Sequence, residues 1–179
     1  MDLTEKRLSR KEIFQGHIVN VHIDTVELPN GAEATREVVD HPGGVAVLAL
    51  DGENNVLTVT QYRYPFGTTL VELPAGKLDH PGEDTAAAGL RELKEETGAV
   101  PGRYELLGKI LPSPGCYGEI LYLYLAQDLH MEEQHLDEDE FLNVERVPFD
   151  EMVRRCMEGE IQDAKTVAAV LMAKLKLKL

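Results

Sequence analysis

Cationic residues, cysteines and long apolar runs are all scarce in this chain. Its 179 residues include 18 Lys and Arg against 32 Asp and Glu, which gives a formal net charge of -14. Such an acidic balance disfavours nucleic acid or an anionic membrane surface as a partner. The two cysteines, Cys116 and Cys156, lack metal-ligand spacing and are typical of a reducing compartment. No histidine lies at a motif-like offset from Cys116, so a catalytic thiol is not indicated.

The lack of long apolar segments argues against a membrane span. Residues 1–14 contain no apolar region like that of a signal peptide, and no later segment approaches the ~20 apolar residues that a span requires. We therefore expect a cytoplasmic protein without a membrane partner. The sequence has no internal repeat and no long linker, which predicts one compact domain over residues 42–179, preceded by an extension over residues 1–41.

The apolar pattern predicts a mixed α/β fold. The first two predicted strands form a hairpin around the turn Pro29-Asn30-Gly31. Strands combined with a central helix and flanking helices predict an α/β sandwich, extended at the N-terminus by an antiparallel β-sheet. The predicted strands cover residues 13–27, 34–39, 44–50, 56–62, 69–73, 104–111, 119–127 and 142–148. The predicted helices are a central helix that ends at Gly98 and two helices over residues 149–158 and 163–178.

Three carboxylates crowd one face of the predicted central helix. Glu92, Glu95 and Glu96 project within roughly a 100° arc. Glu92 faces Glu96 across one turn, a repulsive pairing that a divalent cation would convert into a binding site. Oxygen ligands without Cys or His suit Mg²⁺, with Mn²⁺ as a substitute, and argue against Zn²⁺. Arg91 can pair with Glu95 at i+4. A solvated acidic face is the alternative. The opposite side is predicted to face the core and carries Ala86, Leu90, Leu93 and Thr97.

The residues around this helix have a distinctive spacing. The pair Asp84-Thr85 supplies a helix N-cap, and Gly98 supplies a left-handed residue at the C-terminal end. Glu83 is followed by seven residues and then by RELKEETGA at residues 91–99. This arrangement resembles the Nudix box, whose pattern is Gly, five residues, Glu, seven residues and Arg-Glu-apolar-x-Glu-Glu-x-Gly-apolar. The resemblance implies a Nudix-type α/β/α sandwich with a mixed sheet and a metal-dependent hydrolase of diphosphates.

One departure from the Nudix pattern lies before the helix. Six residues rather than five separate Gly76 from Glu83. Because the extra residue precedes the helix, it leaves the spacing of the carboxylates unchanged. We expect the insertion to bulge outward at His80 and Pro81.

Segments outside the box narrow the resemblance to the ADP-ribose pyrophosphatase branch of the family. Residues 113–119, SPGCYGE, are similar to the SPGxxxE segment of that branch, and residues 36–44 and 61–76 also look like it. The resemblance implies Mg²⁺-dependent hydrolysis of ADP-ribose to AMP and ribose 5-phosphate. Two alternatives stay open: a hydrolase of another nucleotide sugar, such as ADP-glucose or GDP-mannose, and a non-catalytic module that binds a ligand.

The same resemblance implies roles for individual acidic residues. Glu138 would act as the general base on an acidic loop at residues 137–140, for which a solvated turn is the alternative. Arg91 would hold one carboxylate of the helix while the others turn to the metal. The implied metal ligands are the carbonyl of Ala75 and the side chains of Glu92, Glu95, Glu96 and Glu140.

Substrate contacts and the assembly are also implied by resemblance. Arg36 and Arg63 would hold phosphates and the terminal ribose, because guanidinium groups match phosphate oxygens; ordinary surface arginines are the alternative. In this branch the N-terminal sheet is exchanged across a homodimer, which implies the same assembly here. The further implied contacts with ribose and base are Glu37, Glu72, Gly115 and Glu119.

Overall fold

The computed structural model describes residues 1–80, 82–138 and 140–178. The described residues form ten strands: β1 (Lys6–Gln15), β2 (Asn20–Glu27), β3 (Glu33–Asp40), β4 (Gly44–Ala49), β5 (Asn55–Arg63), β6 (Thr68–Glu72), β7 (Ala75–Lys77), β8 (Ala99–Ile110), β9 (Leu121–Met131) and β10 (Leu142–Pro148). They also form three α-helices: α1 (Thr85–Thr97), α2 (Phe149–Met157) and α3 (Ala164–Leu177). Among them, no helix combines the length and apolar character needed to cross a membrane.

The chain divides into two compact units. The first contains Met1–Gly43 together with Leu111–Ile120, and the second contains Gly44–Ile110 and Leu121–Leu179. The connection between β8 and β9 therefore belongs to the N-terminal unit. The division into domains at residues 41 and 42 stays a prediction.

The first unit contains an antiparallel sheet in the order β1-β2-β3. The predicted turn between β2 and β3 is present, since Gly31 donates its N–H to the carbonyl of Leu28 at 2.8 Å and has φ 82°. The prediction of one strand over residues 13–27 was wrong, because the chain turns where Gly16 donates to the carbonyl of Val19 at 2.9 Å. The predicted hairpin is therefore a three-stranded sheet.

The second unit contains two sheets, with orders β7-β4-β9-β8 and β10-β5-β6. Strand β4 lies at the centre, antiparallel to β7 and parallel to β9. Its side chains alternate between two cores, as a strand buried on both faces requires. Val45, Val47 and Ala49 pack with α1, whereas Ala46 and Leu48 pack with α2 and α3. Helices therefore cover both faces of a mixed sheet, and the predicted α/β/α sandwich is confirmed.

Helix α1 has the predicted ends. The Asp84 carboxylate accepts the N–H of Ala86 at 2.9 Å, and Gly98 ends the helix with φ 73° and donates its N–H to the carbonyl of Lys94. The predicted core face was wrong at one position, since Leu90 is 38% exposed. Leu90 lies away from the buried side of the helix. That side is occupied by Leu93 and two small residues, Ala88 and Gly89.

We expect Gly98→Ala to lower the stability of the protein by about 2 kcal/mol, because a left-handed conformation disfavours an L side chain by about 1–2 kcal/mol. A Cβ at this position would also collide with the carbonyl oxygen of Glu132. Gly52→Ala is the matched control, since its Cβ would meet open space. Denaturant unfolding measures both; a Gly98→Ala protein as stable as the Gly52→Ala protein would contradict the prediction.

Candidate active site

Two of the three carboxylates on α1 are buried. Glu92 is 8% exposed and Glu96 is 2% exposed, whereas the Glu95 side chain is 38% exposed. The alternative of a solvated acidic face therefore does not hold for Glu92 and Glu96. A carboxylate this deep in a protein needs a positive partner, a proton or a metal ion, because desolvation disfavours its charge.

The environment of the buried pair opposes its ionisation. Burial, opposed by Arg91 and reinforced by Glu95 and Glu140, raises the pKa of Glu92 to about 7. Burial also raises the pKa of Glu96 to about 8, with a smaller opposing contribution from a backbone hydrogen bond and further repulsion from Glu92 and Glu140. Carboxyl groups that lie close together and have strongly shifted pKa values are typical of functional sites.

Arg91 lies among four carboxylates. Its Nη1 is 2.8 Å from Oε1 of Glu92 and 3.1 Å from Oε2 of Glu95, the predicted i+4 partner. Its Nη2 is 3.4 Å from Oδ2 of Asp79 and 3.8 Å from Oε1 of Glu83. One guanidinium therefore ties the loop before α1 to the acidic face of the helix.

Strand β7 brings backbone groups against both buried carboxylates. The N–H of Ala75 donates to Oε2 of Glu96 at 3.0 Å. Gly76 lies so close to Glu92 that a Cβ there would overlap its carboxylate. Ala75, whose carbonyl was the predicted backbone ligand, is thus adjacent to Glu96. The predicted bulge at His80 and Pro81 cannot be placed, since Pro81 lies outside the described residues.

The acidic loop contributes Glu140 to this site. Glu140 is partly buried and close enough to raise the pKa of both Glu92 and Glu96. Its N–H donates to the carbonyl of Asp137 at 3.0 Å, which closes a turn. Glu138 is exposed at this turn. The structure therefore brings Glu140 to the carboxylates and leaves Glu138 on the solvent side of the loop; Asp139 lies outside the described residues.

Arg63 and Glu72 form a partly buried ion pair. The Nε and Nη2 atoms of Arg63 donate to the two carboxylate oxygens of Glu72, each at 2.6 Å. Lys165 donates to the same carboxylate. Burial raises the pKa of Glu72, but Arg63 and Lys165 together bring it below its ordinary value. Glu72 is 1% exposed, so its predicted contact with ribose or base has no accessible oxygen in this arrangement, while Lys165 was not predicted as a site residue.

The four other predicted substrate contacts all belong to the first unit. Arg36 and the exposed Glu37 lie on β3, where Arg36 donates from Nε to Glu5 at 2.9 Å. Gly115 and Glu119 lie in the segment Leu111–Ile120.

That segment pairs with the end of β3. The N–H of Val39 donates to the carbonyl of Cys116, and the N–H of Gly118 donates to the carbonyl of Val39, both at 2.8 Å. Glu119 lies 3.3 Å from Nδ1 of His41. Short parallel pairing of this segment with β3 thus places these predicted substrate contacts within one unit.

The carboxylates of the second unit have the donor chemistry of a hard divalent cation. All the predicted ligands are oxygen atoms, which Mg²⁺ and Mn²⁺ prefer. Among residues 1–80, 82–138 and 140–178, no three His, Cys, Asp or Glu side chains already converge as a metal-binding group. Glu92 instead pairs with Arg91, and Glu96 accepts a backbone N–H, so both would have to turn toward a cation.

Comparison with known proteins defines the class. The family model for the NUDIX domain matches residues 40–170, and the model for the nucleoside diphosphate sugar hydrolase N-terminal domain matches residues 5–39. The chain belongs to the NUDIX family. Members generally require a divalent metal. The predictions of the family, its fold and its hydrolase class are confirmed.

Individual relatives cover nearly the whole chain. A methanol dehydrogenase activator of Bacillus methanolicus is 45% identical, over 93% of this chain and 90% of its own. An ADP-ribose pyrophosphatase of Bacillus subtilis is 40% identical, over 97% and 95%. A GDP-mannose pyrophosphatase of Yersinia enterocolitica is 29% identical, over 93% of each. The crystal structure of an ADP compounds hydrolase superposes with a TM-score of 0.85 and 24% identity, covering 99% of this chain and 97% of that one, which shows the fold.

Proposed function

We propose that this protein hydrolyses the diphosphate of ADP-ribose to AMP and ribose 5-phosphate. The observation that carries the proposal is the buried pair Glu92 and Glu96, which lies on the Nudix helix with strongly raised pKa values. The 40% identity to a protein named ADP-ribose pyrophosphatase supports this choice of substrate.

The metal of the proposed reaction is Mg²⁺, with Mn²⁺ as a substitute. When bound, such an ion neutralises the diphosphate and lowers the pKa of the attacking water. The proposed ligands share oxygen donors and proximity to the buried pair, and they are the carbonyl of Ala75 and the side chains of Glu92, Glu95, Glu96 and Glu140.

The other residues bind the substrate and move a proton. In the proposed reaction, a water oxygen bonds to one phosphorus, the bond from that phosphorus to the bridging oxygen breaks, and Glu138 takes the proton of the water. Arg91 holds one carboxylate of the acidic helix while the others turn to the metal. Arg36 and Arg63 hold phosphate and terminal ribose. The remaining proposed contacts with ribose and base are Glu37, Gly115 and Glu119.

A panel of nucleotide sugars tests this proposal. ADP-ribose, ADP-glucose and GDP-mannose are incubated with the protein and Mg²⁺ or Mn²⁺, and the products are separated by chromatography. We expect AMP and ribose 5-phosphate with the highest kcat/KM from ADP-ribose, and no products in EDTA. A higher kcat/KM for GDP-mannose would instead favour the activity named for the 29% identical relative.

A second candidate function comes from the relative named methanol dehydrogenase activator, which is 45% identical to this chain. In this alternative, the protein stimulates a dehydrogenase. Adding wild-type protein and the Glu96→Gln variant to a methanol dehydrogenase assay tests it. Stimulation by wild type alone would link the effect to hydrolysis, and equal stimulation by both would indicate a role independent of the buried carboxylates.

The assembly and location are proposed on separate grounds. We propose a homodimer in which residues 1–41 are exchanged as an extension of the domain at 42–179, because β1 is exposed along its whole length. Light scattering checks the mass, and a monomer would refute the dimer. The two free cysteines support a cytoplasmic protein.

A further inference from the structure

The first turn of α3 is tied to the segment that leads into β7. Asp163 caps the helix by accepting the N–H of Thr166 at 3.1 Å. Oγ1 of Thr166 accepts the N–H of Leu73 at 2.9 Å. Nζ of Lys165 donates to Oδ1 of Asp163 at 2.9 Å and also to Oε2 of Glu72. Side chains 93 residues apart in the sequence therefore meet in one partly buried network.

The charges of this network balance. Two cations, Arg63 and Lys165, face two carboxylates, Glu72 and Asp163. Without Lys165, the group would carry one net negative charge, and Arg63 alone would face both carboxylates. Lys165 is also close enough to Glu96 to lower the pKa of that carboxyl against the larger effect of burial.

The network also fixes the direction of Arg63. Both oxygens of Glu72 receive one edge of the guanidinium, and the side chain of Glu72 is 1% exposed. The Arg63 side chain itself is 37% exposed. Such a bidentate contact sets the plane of the guanidinium and hence where its Nη1 points.

We propose that Lys165 is a positioning residue for the substrate. By sharing the charge of Glu72, it holds Arg63 oriented for the diphosphate. Glu72 then acts through Arg63 and not on the ribose or base. This inference rests on the proposed function, in which Arg63 binds the substrate.

Lys165→Met tests the proposal in the full-length protein. We expect KM for ADP-ribose to rise about tenfold with kcat changed less than about twofold, because an interaction made equally in the ground and transition states is lost. The Kd of ADP-ribose, measured by calorimetry in EDTA, should weaken by the same factor. Lys165→Arg should restore both values to within about threefold, since it keeps the charge. Lys174→Met, on the same helix in an exposed pair with Asp150, is the control and should leave both unchanged.

A double-mutant cycle separates positioning from direct contact. If Lys165 acts through Arg63, Lys165→Met should change Kd less than about twofold in an Arg63→Met background. Additive effects would mean an independent contact with the substrate and would overturn the proposal. So would an unchanged Kd with a higher Mg²⁺ requirement, which would place the action on Glu96. If Lys165→Met does not fold, Lys165→Gln is measured in its place.

The outcomes separate this inference from the proposed function. Wild-type protein that neither binds nor hydrolyses any nucleotide sugar would refute the proposed function. Wild-type hydrolysis with an Arg63→Met effect but no Lys165→Met effect on KM or Kd would refute the positioning role alone. A fall in melting temperature with KM and Kd unchanged would assign Lys165 to structure only and would likewise refute it.

Discussion

Replacing Glu96 with Gln should lower kcat for ADP-ribose by at least about a thousandfold at saturating Mg²⁺. A metal at this site supplies several kcal/mol of transition-state stabilisation, and each 1.36 kcal/mol corresponds to a factor of ten. The fold should survive, because the amide oxygen can still accept the N–H of Ala75 that now donates to Glu96 at 3.0 Å. The substitution also removes a carboxyl group whose ionisation burial disfavours. Chromatography of AMP measures the loss.

Thermal unfolding supplies a readout of the same variant that does not depend on turnover. Because a ligand that binds only the native state stabilises it, Mg²⁺ should raise the melting temperature of wild type but not of Glu96→Gln. Lys94→Gln is the matched control, since Lys94 lies on the same helix in an exposed pair with Glu132. Turnover by Glu96→Gln at saturating Mg²⁺ would remove Glu96 from the metal site.

Local signals made the ends of the helices predictable. Asp84 caps α1 as expected, and Gly98 takes the left-handed conformation that its position predicted. Each of these features depends on one side chain or one dihedral angle, so a few neighbouring residues are enough to predict it. The spacing of Arg91 and Glu95 likewise predicted the ion pair observed at 3.1 Å.

Elements that depend on pairing between distant segments were not predicted. Strand β1 has ten residues, all exposed, so no apolar alternation marks it, and the turn at Gly16 interrupts a run that reads as one strand. Strand β7 has three residues, too few for an alternating pattern. Its position against α1 is what buries Glu96, and the helix pattern alone could not distinguish that from a solvated face.

The site shows the same division between local and distant information. The box identified Glu92 and Glu96, but their burial depends on packing in the folded protein. The sequence offered Arg63 and Glu72 as separate substrate contacts, whereas the structure pairs them and adds Lys165. A contact spanning 93 residues leaves no local pattern, so only the fold could reveal it.

Glu138→Gln should lower kcat by about a hundredfold to ten-thousandfold, the range expected for removal of a general base. Glu138 is exposed, so the change should leave the melting temperature unaltered. Because Gln keeps the size of the side chain and the arginines are untouched, KM and the Kd of ADP-ribose in EDTA should stay within about twofold. Rapid-quench measurement of AMP formation, at saturating substrate and Mg²⁺, checks the chemical step.

Glu140→Gln is the comparison variant that separates the role of a general base from that of a metal ligand. Glu140 is close enough to affect the ionisation of Glu92 and Glu96, so its loss should raise the Mg²⁺ concentration needed for half-maximal activity. Glu138→Gln should not change that concentration. A variant pair that differs in this way would separate the base from the metal ligand on one loop. Unaltered kcat in Glu138→Gln would move the base elsewhere, and a shared Mg²⁺ dependence would assign both carboxylates to the metal.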